Sequence, residues 1–423
     1  MRNLLMRQAA VKLSLGALSV ASLFALAAST AACSKEESQE PSRKIDDAPR
    51  PPTTVQSRSC PVSVSVGTEH ACATLEGGKL ACWGLSRSGS FADKSTGAFV
   101  PATILEAPST VSGAALGEAV TCGVSEAGSL FCVGNNREGV LGDPAATEVS
   151  NRWLTPTGLA AGVAALSVGP FGACAVSKAS GEVLCWGSAE SGVTLGQRSG
   201  APTRVALTDP VKSVSAGMMH ACALHTNGTV SCWGNNELGA LGNGTNAAAP
   251  APVKVSGLSD AVAITVGAGH SCALRRDRTV SCWGNAKAGQ TGSLPESGSA
   301  EEVDERSTAI PFLAAPASVP GLDKVRAIAA GDDFTCAVRE SGEALCWGAN
   351  TKGQLGDGAS GPSIVPSPVY ALDKGVRAIA AGGHTACAVT DGCNVLCWGD
   401  GSRGQLGDPG VAVSRVPRQV AMP

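Results

Sequence analysis

SAGMMHACALHTNGTVSCWGNNELGALG, residues 215–242, sets out in one stretch the pattern on which the fold is built. Two cysteines, Cys222 and Cys232, bracket Thr226, Asn227 and Gly228, and Ala-Leu before and Thr-Val after this turn signal make a β-hairpin. The phrase has six relatives in the chain: VSVGTEHACATLEGGKLACWG, LGEAVTCGVSEAGSLFCVG, VGPFGACAVSKASGEVLCWG, TVGAGHSCALRRDRTVSCWG, AAGDDFTCAVRESGEALCWG and AAGGHTACAVTDGCNVLCWG. The Trp of the CWG phrase falls at Trp83, Trp186, Trp233, Trp283, Trp347 and Trp398, with Val133 in the second unit, at spacings of 47 to 64 residues. Each unit also has a Gly five residues before its first Cys, another two residues after its second, and a third five residues further on. Units near 50 residues are too long for the common helical repeats and suit one four-stranded blade of a propeller.

A later segment of the PxxV kind (Pro252 to Val255, Pro316 to Val319, Pro366 to Val369, Pro417 to Val420) supplies a further strand, with Pro expected at its entry, where no ladder donor is needed. The small residues of the SAG and AAG strands suit the centre of a ring, where blades converge. One Trp per blade suits the gap between neighbouring sheets, where burial of its large surface is worth roughly 4 to 6 kcal/mol before entropy. Composition agrees: 53 Gly, 24 Pro, 7 Trp, 7 Phe and a single Tyr in 423 residues, with 43% apolar residues, describe an ordered core made of short strands and turns. Only 16% of residues are charged and the formal net charge is -3, which argues against a polybasic nucleic-acid surface and against an acidic tail.

The combined pattern, GxxHxCAL, a Gly turn, then CWGxNxxGQLG, resembles the repeats of the regulator of chromosome condensation family over about residues 51–423. The resemblance implies an all-β fold, a seven-bladed β-propeller of four-stranded blades. Trp-Asp repeat propellers would show WD and GH dipeptides at blade spacing, and kelch blades a GG pair with spaced Tyr and Trp; this chain shows neither. The family's founding member exchanges guanine nucleotides on a nuclear GTPase, an activity that an export signal would place out of reach.

Such a signal begins the chain. Arg2, Arg7 and Lys12 precede an uncharged apolar run from Leu13 to Ala28, the plan of a bacterial secretory signal, assigned to residues 1–32. TAAC at residues 30–33 resembles a lipobox with Thr30 in place of the usual Leu, so Cys33 would carry a diacylglyceryl group and a further acyl chain on its freed amine, anchoring the protein to a membrane. The alternative is a soluble secreted protein with a leftover thiol at Cys33. Residues 34–59 are charged and Pro-rich; a flexible tether is assigned to residues 33–50 and the propeller to residues 51–423. Cleavage removes three positive charges and no negative ones, leaving -6, which offers nucleic acid no counterion-release surface.

Fourteen cysteines form seven pairs across the hairpins: Cys72 and Cys82, Cys122 and Cys132, Cys174 and Cys185, Cys222 and Cys232, Cys272 and Cys282, Cys336 and Cys346, Cys387 and Cys397. In an exported protein these read as cross-strand disulfides, each worth roughly 2 to 3 kcal/mol, with reduced buried thiols as the alternative. Zinc is disfavoured, because no pair has knuckle spacing. Cys60, just before the first blade, and Cys393, in the last hairpin, are expected to clasp the ring. Two terminal segments, Pro52 to Val55 and Pro417 to Val420, compete to supply the strand that completes the closing blade.

Nothing in the sequence forms a catalytic constellation. His70, His220, His270 and His384 occupy or adjoin the repeat's own His position and are expected to bond nearby backbone, while His225 reads as a surface residue. No phosphate-cradling or dinucleotide fingerprint is present, and no cofactor or metal is expected. Two segments depart from the repeat. Residues 293–312 carry the acidic run Glu301, Glu302, Asp304 and Glu305, and residues 142–156 hold Arg152 beside Trp153, the only Trp outside the blade position. Each is a candidate contact surface, with a solvated insertion and a locally packed Trp as the alternatives. The sequence therefore points to a monomeric, non-catalytic scaffold in the bacterial envelope that offers propeller faces to a protein partner. A propeller hydrolase acting on extracellular glycans and a structural or adhesive cell-surface protein are the alternatives.

Overall fold

The computed structural model describes residues 59–92, 97–159, 162–294 and 310–423. The leader, the tether with Cys33, the segment Pro52 to Val55 and the acidic run Glu301, Glu302, Asp304 and Glu305 lie outside the described residues.

Among the described residues twenty-eight strands form seven antiparallel four-stranded sheets, each from four consecutive strands. Blade 1 consists of β1 (Pro61–Val66), β2 (His70–Leu75), β3 (Leu80–Ser86) and β4 (Ala98–Leu105), and blades 2 to 7 repeat it over residues 111–154, 163–205, 211–254, 261–318, 325–368 and 376–419. The cysteines stand directly opposite each other in the register of every second and third strand, Cys72 against Cys82 for instance. All seven hairpin disulfides form, as does the clasp between Cys60 and Cys393, 333 residues apart. Val413–Gln419 is the outer strand of blade 7, and among the described residues no strand is exchanged with blade 1.

The PxxV segments are placed differently from the expectation. The outer strands begin before the Pro, as in Ala249–Lys254 and Ser363–Pro368, so Pro252 and Pro366 lie within them. An outer strand has one unpaired edge, so a missing N–H costs nothing there and blunts the edge against further pairing. The Val that ends the motif lies one step past the strand and is buried at Val255, Val319, Val369 and Val420.

Two glycine positions are dictated by close approach. The seven glycines Gly67, Gly117, Gly169, Gly217, Gly267, Gly331 and Gly382 ring the axis; a Cβ on Gly217 would stand 2.2 Å from the Gly267 carbonyl oxygen, and one on Gly67 2.4 Å from that of Gly117. In CWG, the pairing between third and outer strands slips at the Trp, and the following Gly takes a left-handed φ, +114° at Gly84. Its Cβ would meet the Glu69 carbonyl oxygen at 2.8 Å.

Each CWG Trp is fully buried and reaches the neighbouring blade: Nε1 of Trp186 donates to the Val140 carbonyl, that of Trp233 to Val193, Trp283 to Ala240, Trp347 to Gln290 and Trp398 to Gln354, at 2.7 to 3.0 Å. Trp83 does the same toward Gln405 across the ring closure.

Blade 2, which has Val133 at this position, is packed otherwise. The Phe131 ring lies over Gly123, where the other blades have Ala, and Trp153 meets Phe131 edge-on with centroids 5.2 Å apart. Trp153 belongs to the outer strand Val149–Leu154, and its indole donates to the Glu106 carbonyl. Its ring is half-buried against the core shared by blades 1 and 2, the packed alternative rather than a free anchor, while Arg152 beside it is exposed. Since a Cβ on Gly123 would come within 2.5 Å of the Phe131 ring, Gly123→Ala is expected to cost about 1–3 kcal/mol in urea unfolding. Most of that loss should vanish in a Phe131→Ala background; additive effects would contradict this packing.

Candidate interaction face

Both the turns between first and second strands and the longer turns between third and outer strands emerge at the same end of the ring. A repeated backbone bond ties them together: Leu85 N–H to the Glu69 carbonyl, Asn135 to Ala119, Ser188 to Phe171, Asn235 to Met219, Asn285 to Gly269, Ala349 to Asp333 and Asp400 to His384. The longer turns are further pinned from within, by the amides of Leu141, Leu241 and Leu355 donating to the Oδ1 atoms of Asn136, Asn236 and Asn350. Over the described residues these bonds make this end a fixed platform.

What the platform displays differs in every blade. Between the axial Gly and the second strand stand Thr68-Glu69, Glu118-Ala119, Pro170-Phe171, Met218-Met219, Ala268-Gly269, Asp332-Asp333 and Gly383-His384. These pairs surround the mouth of an axial cavity of about 170 Å³, lined by the glycine ring together with Thr68, Pro170, Met218 and Asp332. Phe171 and Met219 are 37% and 43% exposed, an apolar pair on adjacent blades. Of these, the sequence reading singled out only His384; the available signal was variation between two constant positions of a repeat.

Two acids of the face are held in low-dielectric surroundings. The Glu69 carboxylate is 1% exposed, accepts from Arg87 at 2.8 Å and contacts Arg403 of blade 7; burial raises its pKa, and Arg87 and Arg403 oppose the rise. Arg87 also bridges to Glu118 at 2.8 Å, so one cluster joins blades 7, 1 and 2. Burial likewise raises the pKa of Asp332 at the axial mouth, with the nearby His384 opposing.

The repeated histidines are struts. Nε2 of His70 meets Thr121 Oγ1 at 2.8 Å, that of His220 meets Ser271 Oγ at 2.8 Å, and that of His270 meets Thr335 Oγ1 at 2.9 Å, each partner a hydroxyl of the following blade rather than nearby backbone. His384 is one residue out of this register, with Thr385 at the strut position. His225 is not on the surface: it is 3% exposed and bonded to the Asp209 carbonyl and Ser231 Oγ. Burial depresses the pKa values of His70 and His270 to about 4 and of His220 to about 3. An imidazole in the unfolded chain titrates near 6.5, so below that pH the unfolded state binds more protons than the folded one. The stability contributed by these neutral rings is complete above pH 6.5 and is lost as pH falls toward 4. Urea midpoints measured from pH 7 to pH 5 should fall, and the fall should shrink in His220→Gln; a flat profile would contradict the buried neutral rings.

Among the described residues no cluster of His, Cys, Asp and Glu is grouped to hold a metal ion. Arg152 and Trp153 lie on the outer strand of blade 2, away from the axial mouth, and the structure does not bring them together with the face.

A closed ring of seven four-stranded sheets, tied blade to blade by a Trp and a histidine strut, is a propeller built to display turns. Residues 158–423 match the RCC1-like domain and residues 62–90 the regulator of chromosome condensation (RCC1) repeat; the chain belongs to the RCC1-like domain family. It is 30% identical over 246 residues to the RCC1 domain-containing protein RUG3, mitochondrial, of Arabidopsis thaliana, a match that covers 55% of this chain and 41% of that one. It is 34% identical over 195 residues to the ultraviolet-B receptor UVR8 of the same plant, covering 46% and 42% of the two chains. The matches thus span less than half the length of these relatives. In three dimensions the chain is similar to Prp20p of Saccharomyces cerevisiae (TM-score 0.68, 20% identity, 81% of this chain and 85% of that one). It is equally similar to human WBSCR16 (TM-score 0.68, 22% identity, 82% and 95% coverage). Yeast RCC1 (Prp20) has also been solved bound to Kap60, and that chain superposes with a TM-score of 0.67 at 19% identity over 90% of this chain and 91% of its own.

Proposed function

We propose that this protein is a non-catalytic interaction scaffold that offers the turn-bearing face of its propeller to a protein partner. The observation that carries this reading is the exposed apolar pair Phe171 and Met219 on adjacent blades, each following a residue, Pro170 or Met218, that lines the axial mouth. Large apolar side chains displayed together on a fixed surface are typical of contact sites, and loops on a rigid scaffold are where binding resides. The recurring histidines support a non-catalytic role, because their Nε2 atoms are engaged between blades. Kap60 bound to the yeast relative shows the same architecture engaging a protein.

We further infer export to an oxidising compartment. Eight disulfides need an oxidising environment, which agrees with export through the leader at residues 1–32 and with anchoring at the bacterial envelope through acylated Cys33. Palmitate labelling that disappears in Cys33→Ser tests the anchor. For the face, the purified protein is used to capture its partner from crosslinked envelopes. Phe171→Glu with Met219→Glu should lose the partner, while Tyr370→Glu, on a connection at the opposite end and 63% exposed, should keep it. Equal capture by both variants would contradict the assignment.

A further inference from the structure

At six of the seven joints the hairpin turn of one blade is tied to the first strand of the next by the same backbone bond. The amides of Val111, Val163, Val211, Ala261, Val325 and Val376 donate to the carbonyls of Gly78, Gly128, Gly181, Gly228, Arg278 and Gly342, at 2.8 to 3.2 Å. At the closure the donor position is Pro61, which has no N–H, and the turn position is Cys393. The bridge from Cys393 to Cys60 therefore stands where the other joints have a hydrogen bond. Besides it, this end of the closure has the Arg377 guanidinium on the Pro61 carbonyl. The Trp83 and Glu69 contacts across the closure lie toward the interaction face, at the opposite end.

The clasp also differs from the hairpin bridges in access. All fourteen hairpin cysteines lie within strands and are at most 1% exposed, whereas Cys60 and Cys393 lie outside strands and are only partly buried. Cys393 is held at a left-handed φ of +59°, a turn position that is Gly in five of the other blades, so a side chain is kept there at a conformational cost. Among the described residues a cavity of about 460 Å³ opens beside the bridge, lined by Ser59, Pro61, Cys393, Asn394, Val420 and Met422. Exchange requires a thiolate to reach a bridge sulfur, which burial prevents at the hairpins and this cavity permits at the clasp.

We propose that the Cys60 to Cys393 clasp is a thiol-exchange site, reduced selectively by a dithiol that enters this cavity, and that its reduction unlatches the ring between blades 7 and 1. One thiolate of the dithiol attacks Cys393 Sγ; the bridge breaks, a mixed disulfide forms, and Cys60 leaves as a thiolate that takes up a proton. The second thiolate of the dithiol then attacks its own first sulfur, closing the dithiol into a disulfide and releasing Cys393, which is protonated in turn. Two electrons pass from the dithiol to the clasp. The site is at the far end of the ring from the interaction face and stands independently of that reading.

The intact oxidised protein is treated under native conditions with dithiothreitol or with reduced thioredoxin, quenched with an alkylating agent at intervals and mapped by peptide. Cys60 and Cys393 should be alkylated at least about tenfold faster than any hairpin cysteine. Reduction by both reagents supports the site with a protein dithiol as the reductant; reduction by dithiothreitol alone supports it with a small one. Amide hydrogen exchange over residues 61–66 should rise at least about fivefold on reduction, with residues 211–225 unchanged, and should fall back when a small disulfide reoxidises the pair. Pro61→Val supplies the missing donor, so this variant should still be reduced at the clasp but lose most of the rise. Hairpin cysteines alkylated as fast as the clasp, or a clasp resistant to both reagents, would overturn the exchange site. Clasp reduction with unchanged exchange over residues 61–66, or a full rise in Pro61→Val, would overturn the latch.

Discussion

Replacing Trp283 by Ala is expected to lower the unfolding free energy by about 4–5 kcal/mol, the largest effect of any single side-chain truncation in a blade. The indole is fully buried at the joint between blades 4 and 5, packed with Leu241, Val255, Leu258 and Cys232. Its removal opens a cavity that neighbouring sheets cannot close, because disulfide-tied hairpins on both sides hold the walls apart. It also leaves the Ala240 carbonyl with one donor, Ser271 Oγ, in place of two. Phe at this position should restore much of the packing but not the bond. Guanidinium unfolding monitored by circular dichroism checks both variants. The comparison with Val133→Ala is informative: blade 2 has a Val at the position of the CWG Trp, so that truncation should cost about half as much or less. Equal losses at Trp283 and Val133 would refute the role assigned to the indole.

Removing the clasp, with Cys60→Ser and Cys393→Ser together, is expected to cost on the order of 5 kcal/mol in the chain-entropy picture, against about 3 kcal/mol for a hairpin pair such as Cys272 and Cys282. The difference comes from the 333 residues that separate Cys60 from Cys393, against 10 for a hairpin pair. The clasp carries this weight because, among the described residues, no strand crosses the closure between blades 7 and 1. What else crosses it is non-covalent: the Trp83 indole on the Gln405 carbonyl, the Arg403 contact with Glu69, the Gln405 side chain on the Thr68 carbonyl, and Arg377 on the Pro61 carbonyl. Limited proteolysis of the double variant should cut near the closure, and the unfolding midpoint should drop further than in Cys272→Ser with Cys282→Ser. A midpoint equal to that of the unsubstituted protein would show that these contacts close the ring unaided.

The fold was legible in the sequence to an unusual depth, because each rule was stated six or seven times. A Gly that admits no Cβ at the axis, a Cys pair in hairpin register and a Trp in six of the seven blades are constraints on backbone approach and volume, and constraints of that kind select residue types directly. Errors clustered where the chemistry is tolerant. An outer strand accepts Pro within it as readily as at its entry, so its start was misplaced at Pro252 and Pro366. Trp153 breaks the repeat and so reads as a candidate for display, yet it packs edge-on against Phe131 on the core shared by blades 1 and 2. His225 was read as exposed because its partners, Asp209 and Ser231, are brought to it only by the strand pairing.

By itself the sequence determined the number of blades, the order of strands within them and every disulfide, since these depend on local spacing and on a repeat counted along the chain. Only the tertiary structure decided which side chains share a face. The pairs from Glu69 to His384 are scattered over more than 300 residues, and it is ring closure, set by the inter-blade contacts of Trp, His and Gly, that gathers them around one mouth. Charge and exposure at such a mouth are properties of the assembled ring, because the field at any point sums over neighbours that the chain does not place side by side.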